Sequence, residues 1–281
     1  MGLGPSLPPL QPRMGPAVAG FSGSAPSLAI LSALAEEQAG LLEQLRGAHC
    51  TRHAGRDFWQ GQYQGVPVVL ALSRIGKVAA ATTAAALIER FGVSAIVFTG
   101  VAGGVGRGVQ VGDVVLGAGY VQHDMDASPL FPRYQIPLSG HSVLPADAVL
   151  LDALRVACGQ GLQGLQHAGR VPVLHQGLIA SGDRFVNGLE ETRSIVAALQ
   201  AQGHEPLAVE MEGAAVAQVC LDYGLPFAAV RTISDRADDS AHLDFTVFVR
   251  DVASVYAQRI VTALLRAWPH GALLQLSQPR L

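Results

Sequence analysis

With 281 residues, 49% of them apolar, the chain can bury one sizeable core, and no linker divides its middle, so one domain is the economical reading. A net charge of -3 with Lys and Arg scattered along the sequence lacks the basic stripe a nucleic-acid binder needs, so no nucleic-acid partner is expected. The 32 glycines fall singly between short apolar runs, which excludes collagen-like and solenoid folds and suits tight strand-to-helix turns.

Residues 1–26 are rich in Pro, Gly and Ser and lack the charged start and unbroken apolar run of a signal peptide. They read as a disordered extension, within which Met14 is an alternative start. The run from Ser27 to Leu34 reads as a buried strand, and apolar residues at helical spacing from Glu36 to Arg46 follow it, with acids in the first turn. Phe58–Tyr63 and Val66–Leu72 form an expected hairpin. Lys77–Phe91 is an Ala-rich helix and Ala95–Thr99 a β-branched buried strand. Asp113–Leu116 is the next strand. Prolines 129, 132 and 137 then discourage regular structure between Tyr120 and Gly140. A helix at Ala146–Cys158, strands at Gln176–Ala180 and Leu207–Glu210, a helix at Gly213–Tyr223, a strand at Phe227–Thr232 and a long helix at Phe245–Ala267 complete the domain. Its expected span is 27–268, with a tail at 269–281. This alternation predicts a single-domain, three-layer α/β/α fold around a twisted, mixed, mostly parallel sheet, with ligands beyond the carboxyl ends of the strands.

Cys50, Cys158 and Cys220 are odd in number, far apart and without zinc spacing, which points to a reducing cytoplasm. Mean hydropathy is positive, yet Gly, Arg or Asp interrupts every apolar stretch before the length a spanning helix needs, so no membrane association is expected.

Three acid-bearing clusters sit where strands run out: Glu36-Glu37, Glu210-Met211-Glu212 and Arg231-Thr-Ile-Ser234-Asp235. The first two read equally as helix-start acids favoured by the macrodipole or as functional carboxylates, one of them accepting hydrogen bonds from a sugar diol. Asp235, at the end of a buried strand, has the setting of a general acid. Converging on one crevice, such acids suit glycosidic bond cleavage: one carboxyl protonates the leaving group and another activates water. The Gly-rich stretch Thr99–Gly108 admits no dinucleotide register and reads as a structural turn or a ligand-facing loop. His123-Asp-Met-Asp126 reads as a locally hydrogen-bonded loop, so neither metal nor cofactor is expected. No G-x-S-x-G elbow occurs.

Taken in order, Ala33-Leu-Ala-Glu-Glu37, Ser73-Arg-Ile-Gly-Lys77, Thr99-Gly-Val-Ala-Gly-Gly104, Val111-Gly-Asp-Val-Val115, Ser181-Gly-Asp-Arg-Phe185, Ala208-Val-Glu-Met-Glu212 and Arg231-Thr-Ile-Ser-Asp235 give a specific pattern. Over roughly Leu28 to Ala267 the chain resembles the 5'-methylthioadenosine/S-adenosylhomocysteine nucleosidases of the nucleoside phosphorylase and hydrolase superfamily. The resemblance implies that Glu37 activates water and that Asp235, held by Ser234, protonates adenine N7. It implies that Glu212 grips the ribose hydroxyls, Met211 packs on the sugar, and Glu210 and Arg231 line the same pocket. Phe185 would stack on adenine and the backbone of Val186 would read the purine edge, with Val101, Ala102 and Gly103 beside the ribose. Family members are commonly homodimers in which the loop here spanning 126–132 helps build the neighbour's 5' pocket. Val101 departs from the serine many members carry, removing a hydroxyl beside the sugar and a donor that phosphate would need. The expected reaction is hydrolysis of 5'-methylthioadenosine and S-adenosylhomocysteine. A phosphate-dependent purine nucleoside phosphorylase and a non-catalytic nucleoside-binding protein of the same fold are the alternatives.

Overall fold

A computed structural model of the chain describes residues 27–237 and 245–268. The expected extension at 1–26 and the tail at 269–281 lie outside the described residues. Strand β1 (Leu28–Ser32) leads into α1 (Ala35–Leu42), and the meander β2 (Arg46–His53), β3 (Arg56–Tyr63), β4 (Val66–Leu72) precedes α2 (Lys77–Glu89). Then come β5 (Ala95–Gly104), β6 (Val114–Gln122), the short β7 (Leu144–Pro145), α3 (Ala148–Gly161), β8 (Leu174–Ser181) and α4 (Leu189–Gln200). The order ends with β9 (Pro206–Glu210), α5 (Gly213–Tyr223), β10 (Phe227–Asp235), α6 (Phe245–Phe248) and α7 (Ser254–Ala267).

Strands β4, β1, β5 and β10 lie side by side in parallel, as do β6, β8 and β9. Their apolar residues alternate between two cores. Leu28 and Ile30 of β1, Val97 of β5 and Val230 of β10 pack toward α1, α3 and α7, whereas Ala29, Leu31, Phe98 and Ala229 pack toward α2 and α5. Burial on both faces is why these strands read as continuous apolar runs rather than as alternating ones. Mixed pairing then curls the sheet: β10 joins β6 antiparallel, and Gly103 and Gly104 at the end of β5 pair with Val209 and Ala208 of β9. Because β5 also pairs with β10, the strands β5, β10, β6, β8 and β9 close into a ring.

Several expectations change for physical reasons. The first helix stops at Leu42, and Arg46–His53, expected in part as helix, forms the edge strand β2. It pairs only with β3 and buries none of its residues fully, so it carries no apolar alternation to betray it. Residues Thr99–Gly104 continue β5 instead of turning, because both β10 and β9 supply backbone partners there. Strand β6 likewise runs on to Gln122. Helix α4, not among the expected elements, has its apolar face at Leu189, Thr192, Ile195, Val196 and Leu199, with Thr192 and Leu199 buried. The expected C-terminal helix is divided by a π-helical turn at Val249–Ala253.

Candidate active site

Six strands end around one pocket. Ala33, Leu34 and Glu37 follow β1, Ile75 follows β4, and Val101, Ala102 and Gly103 close β5. Arg184, Phe185 and Val186 follow β8, Val209–Glu212 come from the end of β9, and Ser234 and Asp235 end β10. This is the placement a doubly wound sheet dictates, with the loops at the carboxyl ends of its strands left to carry the chemistry.

Glu37 is the third residue of α1, a helix whose N-cap, Leu34, has no capping side chain. Its carboxylate turns back so that Oε2 accepts the Ala33 and Leu34 backbone N–H groups at 2.8 and 2.9 Å, satisfying orphan donors of the first turn. Oε1 accepts the Val101 N–H at 3.0 Å. At 2% exposure, burial pushes its pKa up, opposed by those N–H groups and by the charge of Arg231. Glu36 beside it is exposed. Glu37 therefore caps a helix and also lines the pocket.

Asp235 owes its aim to a bulge. Ile233 pairs with Ala102 and Asp235 with Gly103, which leaves Ser234 as the extra residue on β10. The Ser234 hydroxyl donates to Asp235 Oδ2 at 2.7 Å, and the Ala237 N–H donates to Oδ1 at 2.8 Å. Close approach explains two of the glycines in β5. A Cβ on Gly103 would stand 2.9 Å from Asp235 Oδ1, and one on Gly100 would stand 2.9 Å from Glu37 Oε1. The Gly-rich stretch is thus strand as far as Gly104, stripped of side chains where two carboxylates pack on it, and it turns only at 105–108.

Glu210 and Glu212, two residues apart, live differently. Glu210 accepts from the Ser181 hydroxyl, from the Glu212 and Gly213 N–H groups at the start of α5, and from Arg231 Nη2 at 2.7 Å. Glu212 accepts the Gly76 N–H on Oε1 at 2.9 Å, and among the described residues no donor reaches its Oε2. Burial, reinforced by the negative charge of Glu210, raises the pKa of Glu212. Met211 between them lines the pocket half-buried, Val186 is buried in its wall, and Phe185 stands 46% exposed at its mouth.

Arg231 is the correction. It does not line the pocket. At 1% exposure it lies beneath it, its guanidinium 4.0 Å over the Phe98 ring and paired with Glu210. Burial alone would lower its pKa, but the Glu210 charge and hydrogen bond, with Glu212 and Glu37 nearby, more than reverse this. It serves as the counter-charge that allows several carboxylates to share one floor. Residues 126–132 do not line the pocket of their own chain either, and Leu130 there is 84% exposed. Lining residues that the cluster argument missed are Ala33, Leu34, Ile75, Arg184 and Val209. All five fall inside motifs already singled out, but as apolar or exposed residues beside the acids they carried no signal of their own. Among the described residues no group of metal-ligating side chains assembles, and no helix is long and apolar enough to cross a membrane.

A family model of the phosphorylase superfamily matches residues 27–266. A 5'-methylthioadenosine/S-adenosylhomocysteine nucleosidase of Colwellia psychrerythraea is 37% identical over 238 residues, covering 84% of this chain and 94% of that protein. An aminodeoxyfutalosine nucleosidase of Helicobacter pylori is 34% identical over 235 residues, covering 82% and 94%. Among solved structures, the Neisseria meningitidis 5'-methylthioadenosine/S-adenosylhomocysteine nucleosidase in complex with methylthio-immucillin-A superposes with a TM-score of 0.78 at 32% identity, covering 87% of this chain and 100% of that one. Fold, strand-end pocket and sequence agree, and the chain belongs to the phosphorylase superfamily and, within it, to the 5'-methylthioadenosine/S-adenosylhomocysteine nucleosidase family.

Proposed function

We propose that the chain hydrolyses the N-glycosidic bond of 5'-methylthioadenosine and S-adenosylhomocysteine, releasing adenine and the 5-thio-substituted ribose. The observation that carries this reading is the meeting of buried Glu37, Glu212 and Asp235 in one pocket. Asp235, oriented by Ser234 and the Ala237 N–H, gives its proton to adenine N7, which draws the electron pair of the C1'–N9 bond onto the base. Glu37 takes a proton from a water as that water's oxygen bonds to C1' of the oxocarbenium-like sugar. Its three N–H contacts fix the carboxylate and still leave lone-pair capacity for the water. Glu212 has the open oxygen suited to ribose hydroxyls, while Phe185 and Val186 form the wall on which adenine stacks and is read.

Carboxylates dominate the polar lining and, among the described residues, Arg184 is its one cation, a setting that welcomes water and repels phosphate. Adenine release from 5'-methylthioadenosine should therefore proceed at the same rate in phosphate-free and phosphate-containing buffer. Release only with phosphate would make the protein a phosphorylase, and binding without release would make it a nucleoside-binding protein.

A homodimer belongs to the same reading. Exposed Ile75 and Phe185 at the mouth, with Leu130 on the 126–132 loop, are the surface a second copy would cover to complete the 5' pocket. Sedimentation at micromolar concentration should give twice the monomer mass. The free thiols of Cys50, Cys158 and Cys220 suit action in the reducing cytoplasm.

A further inference from the structure

Just outside the pocket, three loops from different strands are tied together at the N-terminus of α2. The Lys77 ammonium donates to Asp124 Oδ1 at 2.6 Å and to Gln122 Oε1 at 3.0 Å. The other oxygen of Asp124 accepts the Asp183 N–H at 2.9 Å. Asp183 Oδ1 in turn accepts the backbone N–H of Lys77 at 2.6 Å, which closes a ring through both ends of the same lysine. Gln122 extends the ring to Gln218 of α5 at 2.8 Å. The Lys77 side chain is only 16% exposed, whereas Asp124 and Asp183 face solvent.

What the ring holds is specific. Gly76, next to Lys77, gives its N–H to Glu212, and Asp183 is followed directly by Arg184, Phe185 and Val186 of the pocket wall. Helix α2 thus receives two carboxylates at its start, Glu212 on the Gly76 N–H and Asp183 on the Lys77 N–H, a position the helix dipole favours for negative charge. By contrast, Glu37 is fixed by Ala33, Leu34 and Val101, and Asp235 by Ser234 and Ala237. None of those contacts passes through the ring.

We propose that Lys77, Asp124 and Asp183 are positioning residues that set the substrate-gripping half of the pocket, Glu212 and Phe185–Val186, independently of its acid/base half. The inference rests on the nucleosidase reading for its kinetic test and on geometry alone for its structural one. Removing the cation leaves the Asp124 carboxylate, which holds the Asp183 N–H, without its counter-charge and loosens the two loops from their shared register. The grip then weakens in ground and transition state alike, which is the signature of a raised KM with kcat kept.

The test uses the full chain carrying Lys77→Met, Lys77→Arg or Asp124→Asn. With 5'-methylthioadenosine as substrate, Lys77→Met should raise KM by about tenfold and leave kcat within about threefold, and Lys77→Arg should recover most of the loss. Asp124→Asn keeps one acceptor where two are used and should fall between them; it also serves if Lys77→Met does not fold. An unchanged KM, a fall confined to kcat, or no recovery by Lys77→Arg overturns the proposal. Amide exchange without substrate gives the independent readout: the Asp183 N–H and its neighbours through Val186 should exchange faster in Lys77→Met and Asp124→Asn than in wild type. Equal protection overturns the ring even if the wild-type chain proves not to cleave the nucleoside, an outcome that would sink the nucleosidase reading alone.

Discussion

The floor and the walls of the pocket are both lined by carboxylates, yet they use them in opposite ways. In the floor, Glu210 has its oxygens filled by a hydroxyl, two backbone N–H groups and the Arg231 guanidinium. In the walls, Glu37 holds three N–H contacts and, among the described residues, Glu212 accepts only one, so both keep acceptor capacity toward the cavity. Residue type does not separate these roles; unfilled acceptor capacity beside a cavity does. A saturated buried carboxylate is architecture, whereas one with lone pairs left over is available to a ligand.

The sharpest way to break that distinction is at Glu210. Glu210→Ala would leave Arg231 buried without its partner and the start of α5 without its acceptor, a loss of about 3–5 kcal/mol in stability. Denaturant melts of the variant check this, and an unchanged midpoint would make Glu210 a pocket residue rather than a structural one. Glu37→Gln turns an NH2 toward an N–H that the carboxylate accepted, so it should fold at a cost of about 1–3 kcal/mol and lose turnover by about 10²–10⁴-fold, because the amide cannot take the water's proton. The same residue sets a pH dependence. Burial raises its pKa and the base must be ionised, so kcat/KM should fall, as pH drops, at a value above the ordinary glutamate range. A profile flat down to the ordinary value would contradict the base assignment.

Gly103→Ala tests the packing of the acid against β5. Its Cβ would stand 2.9 Å from both Asp235 Oδ1 and the Ala237 Cβ, so kcat should drop by about 10–100-fold and stability by about 1–3 kcal/mol. The smallest effect is expected at Val101. The backbone N–H of Val101, not its side chain, holds Glu37, so Val101→Ser should change kcat/KM by less than about threefold. A large gain would mean that a hydroxyl beside the sugar matters more than the backbone contact.

How much of this was legible beforehand depended on where each signal resides. Strands β1, β5 and β10 were visible because burial on both faces forces unbroken apolar runs, and α5 because its small apolar residues stand between clear stops. Strand β2 was not, since it buries too little apolar surface to print a period, whereas α4 does carry a helical spacing at Leu189, Thr192, Ile195, Val196 and Leu199. At the site, acids at strand ends were readable as such, and the family resemblance attached roles to them. Their environments were not readable. That Arg231 lies under the pocket, that Glu210 is saturated and that Val101 acts through its backbone are all facts of three-dimensional hydrogen bonding. The ring of Lys77, Asp124 and Asp183 was hidden for the same reason, as its members come from three distant motifs.

The most direct test of the central claim is single-turnover adenine release from 5'-methylthioadenosine by Asp235→Asn against wild type, with nucleoside affinity measured on the same samples. The account predicts a loss of about 10²–10⁴-fold in the release rate with affinity nearly unchanged, since Asn keeps the shape and lacks the proton to donate. Release at the wild-type rate would contradict the assignment of Asp235 as the acid and, with it, the proposed course of the reaction.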